Sequence, residues 1–210
     1  HHWLGMARGA LDQVSEAGES FQRSVQYAPQ NPEYHLALGC APTWTCAPYQ
    51  AGHRPALGEQ VAWGESNAIA FANSVLGART ERYGDFLDAC CALTARAPLH
   101  GLHLAENRVA TVVVDASGVP DALMRRDVFY PVLGTWLGLE VGREIAALVG
   151  LPRGVSEDQL KALGAAGASS GAVSRIHVGG VTPEAPTLEA ATGGRAGVRR
   201  ISLTADRMRP

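Results

Sequence analysis

The chain has 210 residues and a formal net charge of −2 at pH 7, from 18 lysines and arginines against 20 aspartates and glutamates. This near balance argues against a nucleic-acid binder, because such proteins carry a basic excess. Hydrophobic residues make up 46% of the sequence and charged residues 18%, which excludes an intrinsically disordered chain and predicts a folded core.

The first part of the chain is irregular. Residues 1–39 form a poorly defined N-terminal segment in which residues 4–14 favour a helix. Residues 40–58 are too rich in proline, glycine and aromatic side chains for a regular element. A loop this apolar is expected to pack against the core rather than extend into solvent.

Two helices are predicted after this loop. Apolar and small residues recur at helical spacing over residues 59–76, and Gly77 stands where a helix would end. Asp85 is suited to cap a second helix, which carries Cys90 and Cys91. We expect both thiols to fill the core.

The middle of the chain predicts a strand and a closely packed helix. Residues 109–114 are apolar and rich in β-branched side chains, which is typical of a strand covered on both faces. Gly134, Gly138 and Gly142 recur every four residues, so they share one stripe of a helix where another backbone can approach. A dinucleotide-binding loop needs a different glycine spacing.

The last third of the chain alternates helices and strands. Ser156 and Gln159 form a capping box that opens a helix ending near Gly164. Further elements are predicted as strands over 172–178 and 199–203 with a short helix over 186–191 between them. This alternation predicts an α/β fold with layered helices on a mixed, partly parallel sheet.

The sequence also bears on location and partners. No run approaches the roughly 18 consecutive apolar residues of a membrane span, and the first residues lack the order of a signal peptide. Four cysteines are too few for a disulfide scaffold in a chain of this length. We therefore expect a cytoplasmic protein with reduced thiols, and neither a membrane nor a nucleic acid as partner.

Cys46 is the first candidate for chemistry. Pro42 and Pro48 flank it and restrict the backbone, so a thiolate here would be presented to a metal from a rigid loop. Cys40 precedes it with five residues between, a spacing that zinc knuckles do not use, and this disfavours a zinc site with His53 as well. A buried, inert thiol stays open as the alternative for both cysteines.

Polar residues on the helix predicted over 59–76 are the second candidate. Ser66 and Asn73 are seven residues apart and share a face, as do Asn67 and Ser74. Each either faces water or is buried with hydrogen-bond partners. The helix could therefore present a polar line to a cleft.

Arg79 and Arg82 follow directly after this helix. A guanidinium can bind a carboxylate through two parallel hydrogen bonds, so either residue is a candidate for an acidic substrate. Surface pairing with Glu81 and Asp85 is an equally favoured interpretation.

Histidines are the third candidate. His100 and His103 point to opposite faces if their segment is extended, which disfavours a shared metal and leaves a single functional histidine open. His35, His53 and His177 are isolated and are interpreted as structural or surface residues. The sequence contains no P-loop, nucleophile elbow or H-E-x-x-H motif.

Several segments resemble the catalytic domain of the aconitase X family. They are PTWTCAPYQ at 42–50, GEQVAWGESN at 58–67, ANSVLGARTERYGDF at 72–86 and GGVTPEAPTL at 179–188. The resemblance implies an aconitase-like fold, with residues 40–210 as the central part of such a domain. The family's domain is longer, so an incomplete domain is expected.

The resemblance implies an iron-dependent hydro-lyase that holds iron or an iron–sulfur cluster and acts on a small hydroxy acid. Two dehydratase activities occur in the family, on cis-3-hydroxy-L-proline and on phosphomevalonate. Residues 79–86 are more similar to the first branch, so cis-3-hydroxy-L-proline is the expected substrate. A large-subunit-like phosphomevalonate dehydratase and a non-catalytic fragment of this fold stay open as alternatives.

The resemblance also implies roles for individual residues. Cys46 matches the family's iron ligand, and Arg79 would bind the substrate carboxylate. The polar residues around the predicted helix take the remaining roles, with Glu65 and Ser66 as catalytic groups and Asn73, Ser74, Arg79 and Thr80 as substrate-binding groups. A small swivelling domain or subunit is expected as partner and would supply a serine base.

Overall fold

The computed structural model describes residues 46–83 and 87–208. The predicted helix over 4–14, Cys40, His35 and Asp85 lie outside these residues. The described strands are β1 (Val112–Gly118), β2 (Ala146–Val149), β3 (Ile176–Val178) and β4 (Arg199–Thr204). They form one sheet in the order β3-β2-β1-β4, and every pairing is parallel. The α/β fold class is confirmed.

Helices surround this sheet. The α-helices are α1 (Ser66–Phe71), α2 (Leu87–Thr94), α3 (Asp121–Met124), α4 (Phe129–Glu140), α5 (Glu157–Gly171) and α6 (Leu188–Thr192). A π-helical turn, Ala72–Leu76, continues α1. Short 3-10 turns span Pro48–Gln50, Gly101–His103, Ala105–Asn107 and Ala205–Met208. No helix in the described part of the chain is both long and apolar enough to cross a membrane.

The two faces of the sheet are covered by different layers. Val112 and Val114 lie in the main core with residues of α4 and α5, whereas Val113 packs with α6 residues on the other face. Successive side chains of a strand point to opposite faces, so a run of buried valines requires cover on both. The predicted two-sided strand is confirmed, although it begins at Val112.

Helices α4 and α5 approach through glycines. A Cβ atom at Gly134 would lie 2.3 Å from the carbonyl oxygen of Leu163, and one at Gly138 would lie 1.9 Å from Ser170 Oγ. The predicted close approach is confirmed at these two positions. It is wrong at Gly142, which follows the end of α4 at φ +64° and has no atom within 4 Å of a Cβ position.

The capping box that opens α5 is confirmed, with Ser156 and Gln159 bonded reciprocally. The predicted end near Gly164 is wrong, because α5 continues to Gly171. Glycine lowers helix propensity. Here the small residues let α5 pack on α4 and α1, and tertiary packing outweighs that propensity.

The helix predicted over 59–76 is shorter in the structure. Residues 58–61 instead pair with 77–79, as shown by hydrogen bonds from Gly58 N to Gly77 O (2.9 Å) and from Arg79 N to Glu59 O (2.8 Å). α1 therefore begins only at Ser66. The predicted stop is confirmed, because Gly77 adopts the left-handed conformation at φ +69°.

The predictions for the proline-rich loop and for Cys91 are confirmed, whereas the prediction for Cys90 is wrong. Tyr49 is buried and stacks on Phe71 with ring centroids 3.7 Å apart, which confirms a packed loop for its described part. Cys91 is buried as expected. Cys90 is exposed, so its predicted place in the core is wrong, since neighbouring residues of a helix point in different directions.

Candidate functional site

Residues 79–83, a segment that pairs with Gln60 through a single β-bridge at Arg79, lie at the centre of the candidate site. Arg79, Glu81 and Tyr83 all contact the turn at Gly101–His103: Arg79 Nη1 donates to His103 O (3.2 Å), and Glu81 Oε2 accepts from Leu102 N (2.9 Å). The Tyr83 hydroxyl is hydrogen-bonded to His103 Nε2.

His103 is buried beneath this segment, with 3% of its surface exposed. Its Nδ1 is hydrogen-bonded to Gln60 Oε1, and Gln60 Nε2 donates back to His103 O (3.3 Å). Burial lowers the pKa of His103, and the positive charges of Arg108 and Arg79 lower it further against the opposing effect of Glu81. Both ring nitrogens are therefore held by protein groups around a neutral imidazole.

The other side of the segment faces helices α1 and α5. Thr80 is fully buried, and its Oγ1 accepts from Trp63 N (3.3 Å). Arg82 Nη2 donates to Ser66 Oγ (2.9 Å), and Nη1 donates to Ala168 O (3.4 Å). Arg79 and Arg82, which the sequence offered as alternatives for one carboxylate, thus lie on opposite sides.

Asn73 connects the segment to the rest of the molecule. It is fully buried, and its Nδ2 donates to Thr80 O (3.0 Å) and to Ser174 O (3.2 Å). Its Oδ1 accepts from Thr80 N (3.1 Å) and from Arg108 Nη1 (3.0 Å). Ser74 Oγ accepts from Ile176 N (2.9 Å) at the start of β3. These side chains use their polar atoms within the protein.

Beside Asn73 lies a buried cluster of charges, Arg108, Arg175 and Glu184, which we call the arginine node. Arg108 Nη2 and Glu184 Oε1 are 3.0 Å apart, and Arg175 Nη2 is paired with Glu184 Oε2. Burial alone would raise the pKa of Glu184, but the hydrogen bond from Arg108 and the charge of Arg175 hold it below its usual value. The carboxylate therefore neutralises part of two buried positive charges.

No sequence motif indicates the arginine node. Arg175 directly precedes β3, in a run that apart from His177 is otherwise apolar or small. A charge inside such a run is an available signal for a buried, paired side chain. The partners of Arg175 could not be found in this way, because they lie far from it along the chain.

Arg79 has an unused donor. Its Nε is buried, and no described residue accepts a hydrogen bond from it. Buried polar groups are nearly always satisfied by protein, water or ligand. Arg79 is thus fixed by His103 O on one side while retaining hydrogen-bonding capacity on another.

Cys46 is exposed and free. Its carbonyl oxygen accepts from Asn67 Nδ2 (3.1 Å), which ties the loop to α1. Among the described residues, no group of three or more histidine, cysteine, aspartate or glutamate side chains could hold a metal ion. Glu65 is exposed and caps α1 by accepting from Asn67 N (3.4 Å).

Family models match the chain over nearly its whole length. The aconitase X first domain matches residues 7–106, and the aconitase X second domain matches residues 110–210. A cis-3-hydroxy-L-proline dehydratase of Pseudomonas aeruginosa is 50% identical over 176 residues, which are 83% of this chain and 30% of that protein. The dehydratase of the same name from Hypocrea jecorina is 50% identical over 167 residues, 79% of this chain and 28% of that protein.

Other relatives carry a different name. The phosphomevalonate dehydratase large subunit of Thermococcus kodakarensis is 40% identical over 152 residues, 72% of this chain and 38% of that protein. The crystal structure of Thermococcus kodakaraensis aconitase X in its holo form superposes with a TM-score of 0.70 at 36% identity, covering 84% of this chain and 43% of that chain. The chain spans less than half the length of each of these proteins.

Proposed function

The chain belongs to the aconitase X family, and from that premise we propose that it forms part of a hydro-lyase that removes water from a small hydroxy acid. The family resemblance seen in the sequence is confirmed by matches at residues 7–106 and 110–210. The substrate we propose is cis-3-hydroxy-L-proline. The identity of 50% to two dehydratases named for it, against 36% to 46% to phosphomevalonate dehydratase large subunits, supports this choice.

The observation that carries the proposal is the match of the two aconitase X domains to residues 7–106 and 110–210, and Arg79 lies within the first of them. A guanidinium that is already anchored loses little side-chain entropy when it binds a carboxylate. The bond from Arg79 Nη1 to His103 O provides that anchor. Arg79 is therefore our proposed partner of the substrate carboxylate.

The other polar residues hold the backbone next to Arg79 in place. Asn73 holds both backbone polar groups of Thr80, the neighbour of Arg79. Ser74 holds the start of β3. Contact of Asn73, Ser74 and Thr80 with substrate stays a prediction, and their internal bonds favour a positioning role. Ser66, bonded to Arg82, and the exposed Glu65 stay predictions as catalytic groups.

We propose Cys46 as an iron ligand. The described residues fit a metal only in part, because Cys46 offers one exposed sulfur and no complete ligand group is present among them. The remaining ligands would come from outside these residues. Bound iron would supply Lewis-acid polarisation of the substrate hydroxyl. This chain would present the ligand and bind the carboxylate.

The proposal includes a partner and a location. Relatives in the family are named as the large subunit of phosphomevalonate dehydratase. We therefore propose that a smaller domain or subunit closes the cleft over this chain. A cytoplasmic location is proposed because the three described cysteines are free thiols.

The test uses the full-length gene product that carries this chain. After anaerobic iron reconstitution, we expect turnover of cis-3-hydroxy-L-proline and little of phosphomevalonate. Arg79→Gln should raise KM about tenfold or more, because a charged hydrogen bond to the carboxylate is lost. The exposed Arg153→Gln is the matched control and should behave as wild type. The proposal fails if neither substrate loses water while iron is bound.

Cys46→Ser tests the iron ligand separately. We expect this variant to bind less iron after the same reconstitution, because a hydroxyl is a poorer ligand than a thiolate. Cys90→Ser is the matched control, because Cys90 is also exposed and free. Equal iron content in wild type and Cys46→Ser would remove Cys46 from the site.

A further inference from the structure

A cavity lies between helix α6 and strand β4, and we call it the α6–β4 cavity. We propose that it is a second binding site of this chain and takes a small organic anion, in which a carboxylate or phosphate group is attached to an apolar body. Its volume is about 500 Å³, and none of its lining residues belongs to the candidate site around Arg79. The inference therefore does not depend on the proposed dehydratase function.

The volume of the α6–β4 cavity indicates the size of its ligand. Cavities that bind small organic molecules typically measure roughly 300–1,000 Å³. A water molecule takes about 30 Å³ of liquid, so an inorganic ion of a few such volumes would leave most of the cavity empty. The ligand should therefore carry a body in addition to its charged group.

The floor of the α6–β4 cavity is apolar. Val113 of β1 lines it and is 1% exposed, so the cavity extends down to the sheet. Leu188 of α6 and Val198 also line it, and both are partly buried. An apolar group that packs against these side chains leaves water, which favours binding. The floor thus fits the body of the ligand.

The register of the sheet places Arg200 beside this floor. Arg200 pairs in register with Val113 in the parallel ladder of β1 and β4, so both side chains lie on the same face of the sheet. The neighbouring Arg199 points to the other face and is paired with Glu144. Arg200 lines the cavity and belongs to none of the ion pairs among the described residues.

Arg195 supplies a second positive charge. It lies in the loop that joins α6 to β4, lines the cavity and is exposed. No described residue forms an ion pair with it. A guanidinium can bind a carboxylate or a phosphate through two parallel hydrogen bonds. Both arginines are thus available to a ligand.

The backbone of this loop is accessible as well. Gly194 and Gly197 line the cavity at φ values of +68° and +73°, and no atom lies within 4 Å of a Cβ position at either residue. Glycine adopts this conformation without strain and leaves no side chain between the backbone and a ligand. The N–H group of Gly197 donates to no described residue. An anion can therefore approach the loop backbone in addition to the two arginines.

Two acidic residues oppose these arginines. Glu189 of α6 lines the cavity and is exposed. Asp115 of β1 interacts electrostatically with Arg200, but it does not line the cavity, and its Oδ1 accepts from Ser117 N (2.9 Å). The lining therefore carries two positive charges against one negative charge, which favours an anion.

Binding is tested by calorimetry at pH 7 and low salt on the full-length gene product, without turnover. Every protein carries Arg79→Gln, so that the proposed site for the substrate carboxylate does not contribute. The probes are phenyl phosphate, benzoate and inorganic phosphate. We expect at least one of the two organic anions to bind more tightly than inorganic phosphate, because only the organic anions also contact the apolar floor. The tighter of the two identifies the charged group.

The double variant Arg195→Gln/Arg200→Gln tests the two arginines. It should weaken binding of the tighter organic anion about tenfold or more, because two charged hydrogen-bonding groups are lost. The exposed Arg153→Gln is the matched control and should leave the affinity unchanged. Thermal unfolding is measured alongside to show that the fold persists.

Glu189→Gln should have the opposite effect. Removing the negative charge from the lining should tighten binding of the same anion about threefold at low salt, and the gain should disappear at about 1 M salt, where charges are screened. A cavity that binds through its apolar floor alone would show no such gain.

Three results would overturn the proposal. They are the absence of binding by both organic anions up to about 10 mM, equal affinity in the double arginine variant and the Arg153→Gln control, and inorganic phosphate binding as tightly as either organic anion. Each of them leaves the proposed dehydratase function standing. An enzyme that dehydrates neither substrate would overturn that function and leave the α6–β4 cavity as a binding site, because binding is measured without turnover.

Discussion

The α4–α5 interface and the arginine node are both buried, but they are stabilised by opposite chemistry. At the interface, glycines bring two backbones into contact, as at Gly138, where a Cβ would lie 2.7 Å from Gly171 N. In the node, Arg108 and Arg175 are each at most 3% exposed and share the carboxylate of Glu184. The contacts of the α4–α5 interface described here involve no charged side chain, whereas the arginine node consists of three charged side chains.

The stability of the arginine node depends more strongly on its exact partners than that of the α4–α5 interface. An apolar interface loses stability in proportion to the atoms that no longer fit. A buried charge that loses its partner retains its full desolvation cost. The node also joins segments that are far apart in the chain, so a single substitution there disturbs several of them at once.

We expect the largest loss of stability from Glu184→Gln. It leaves two buried guanidiniums without a carboxylate, and we expect a loss of about 3 kcal/mol in the free energy of unfolding. The partial exposure of Glu184, 24% of its side chain, places this at the low end of the usual range. Urea denaturation measures it. The exposed Glu189→Gln is the control, and equal losses in both variants would contradict a special role for the node.

We expect acid to lower the free energy of unfolding by a similar amount. Burial and the charge of Arg175 lower the pKa of His177, which lies beside the node, from 6.5 to about 4. Below pH 6.5 the unfolded chain binds a proton at His177 that the folded protein does not, so stability falls as the pH drops. The loss should reach about 3 kcal/mol at pH 4.

Urea denaturation between pH 7 and pH 4 checks this dependence. His177→Gln removes the titrating ring while keeping a donor for the oxygen of Arg108, the current partner of His177 Nε2 at 2.7 Å. We expect a shallower decline in this variant. The same decline in both proteins would show that other groups carry the acid sensitivity.

A smaller effect should follow from overpacking the α4–α5 interface. Gly138→Ala places a methyl group against Ser170 and the backbone of Gly171. We expect a loss of about 1–3 kcal/mol, because the helices must separate slightly. Gly154→Ala is the control, since a Cβ there meets no atom within 4 Å. Equal stability of the two variants would mean that the interface adapts freely.

The smallest expected effect concerns the start of α5. Ser156→Ala removes the hydroxyl that accepts from Gln159 N (3.2 Å), and such caps typically contribute about 1 kcal/mol. Ser169→Ala, an exposed position on the same helix, should change stability by less than about half that value. A Ser156→Ala protein as stable as wild type would show that packing alone fixes this helix end.

Local sequence patterns predicted several elements of the sheet and of the α4–α5 layer correctly. The valine run of β1, the capping box at Ser156 and the glycines of α4 can each be recognised within a short window of sequence. Boundaries were less predictable. The helix expected over 59–76 lost its first turns because residues 58–61 pair with 77–79, a contact that no local pattern reveals.

The candidate site was predicted in part. The family motifs identified Cys46 and Arg79 as candidates, and single residues such as His103 were noticed but not connected to Gln60 or Tyr83. Those contacts join residues 20 and 43 positions apart. Their geometry depends on the extended path of 79–83, which follows from pairing rather than from propensity.

The sequence by itself determined the family, the α/β class and the positions of most helices and strands, because these depend on motifs and on apolar periodicity within short windows. Only the tertiary structure decided that Arg108, Arg175 and Glu184 form one cluster and that Tyr83 meets His103. The physical reason is that a buried polar side chain requires a partner, and only the folded chain brings that partner within hydrogen-bonding distance.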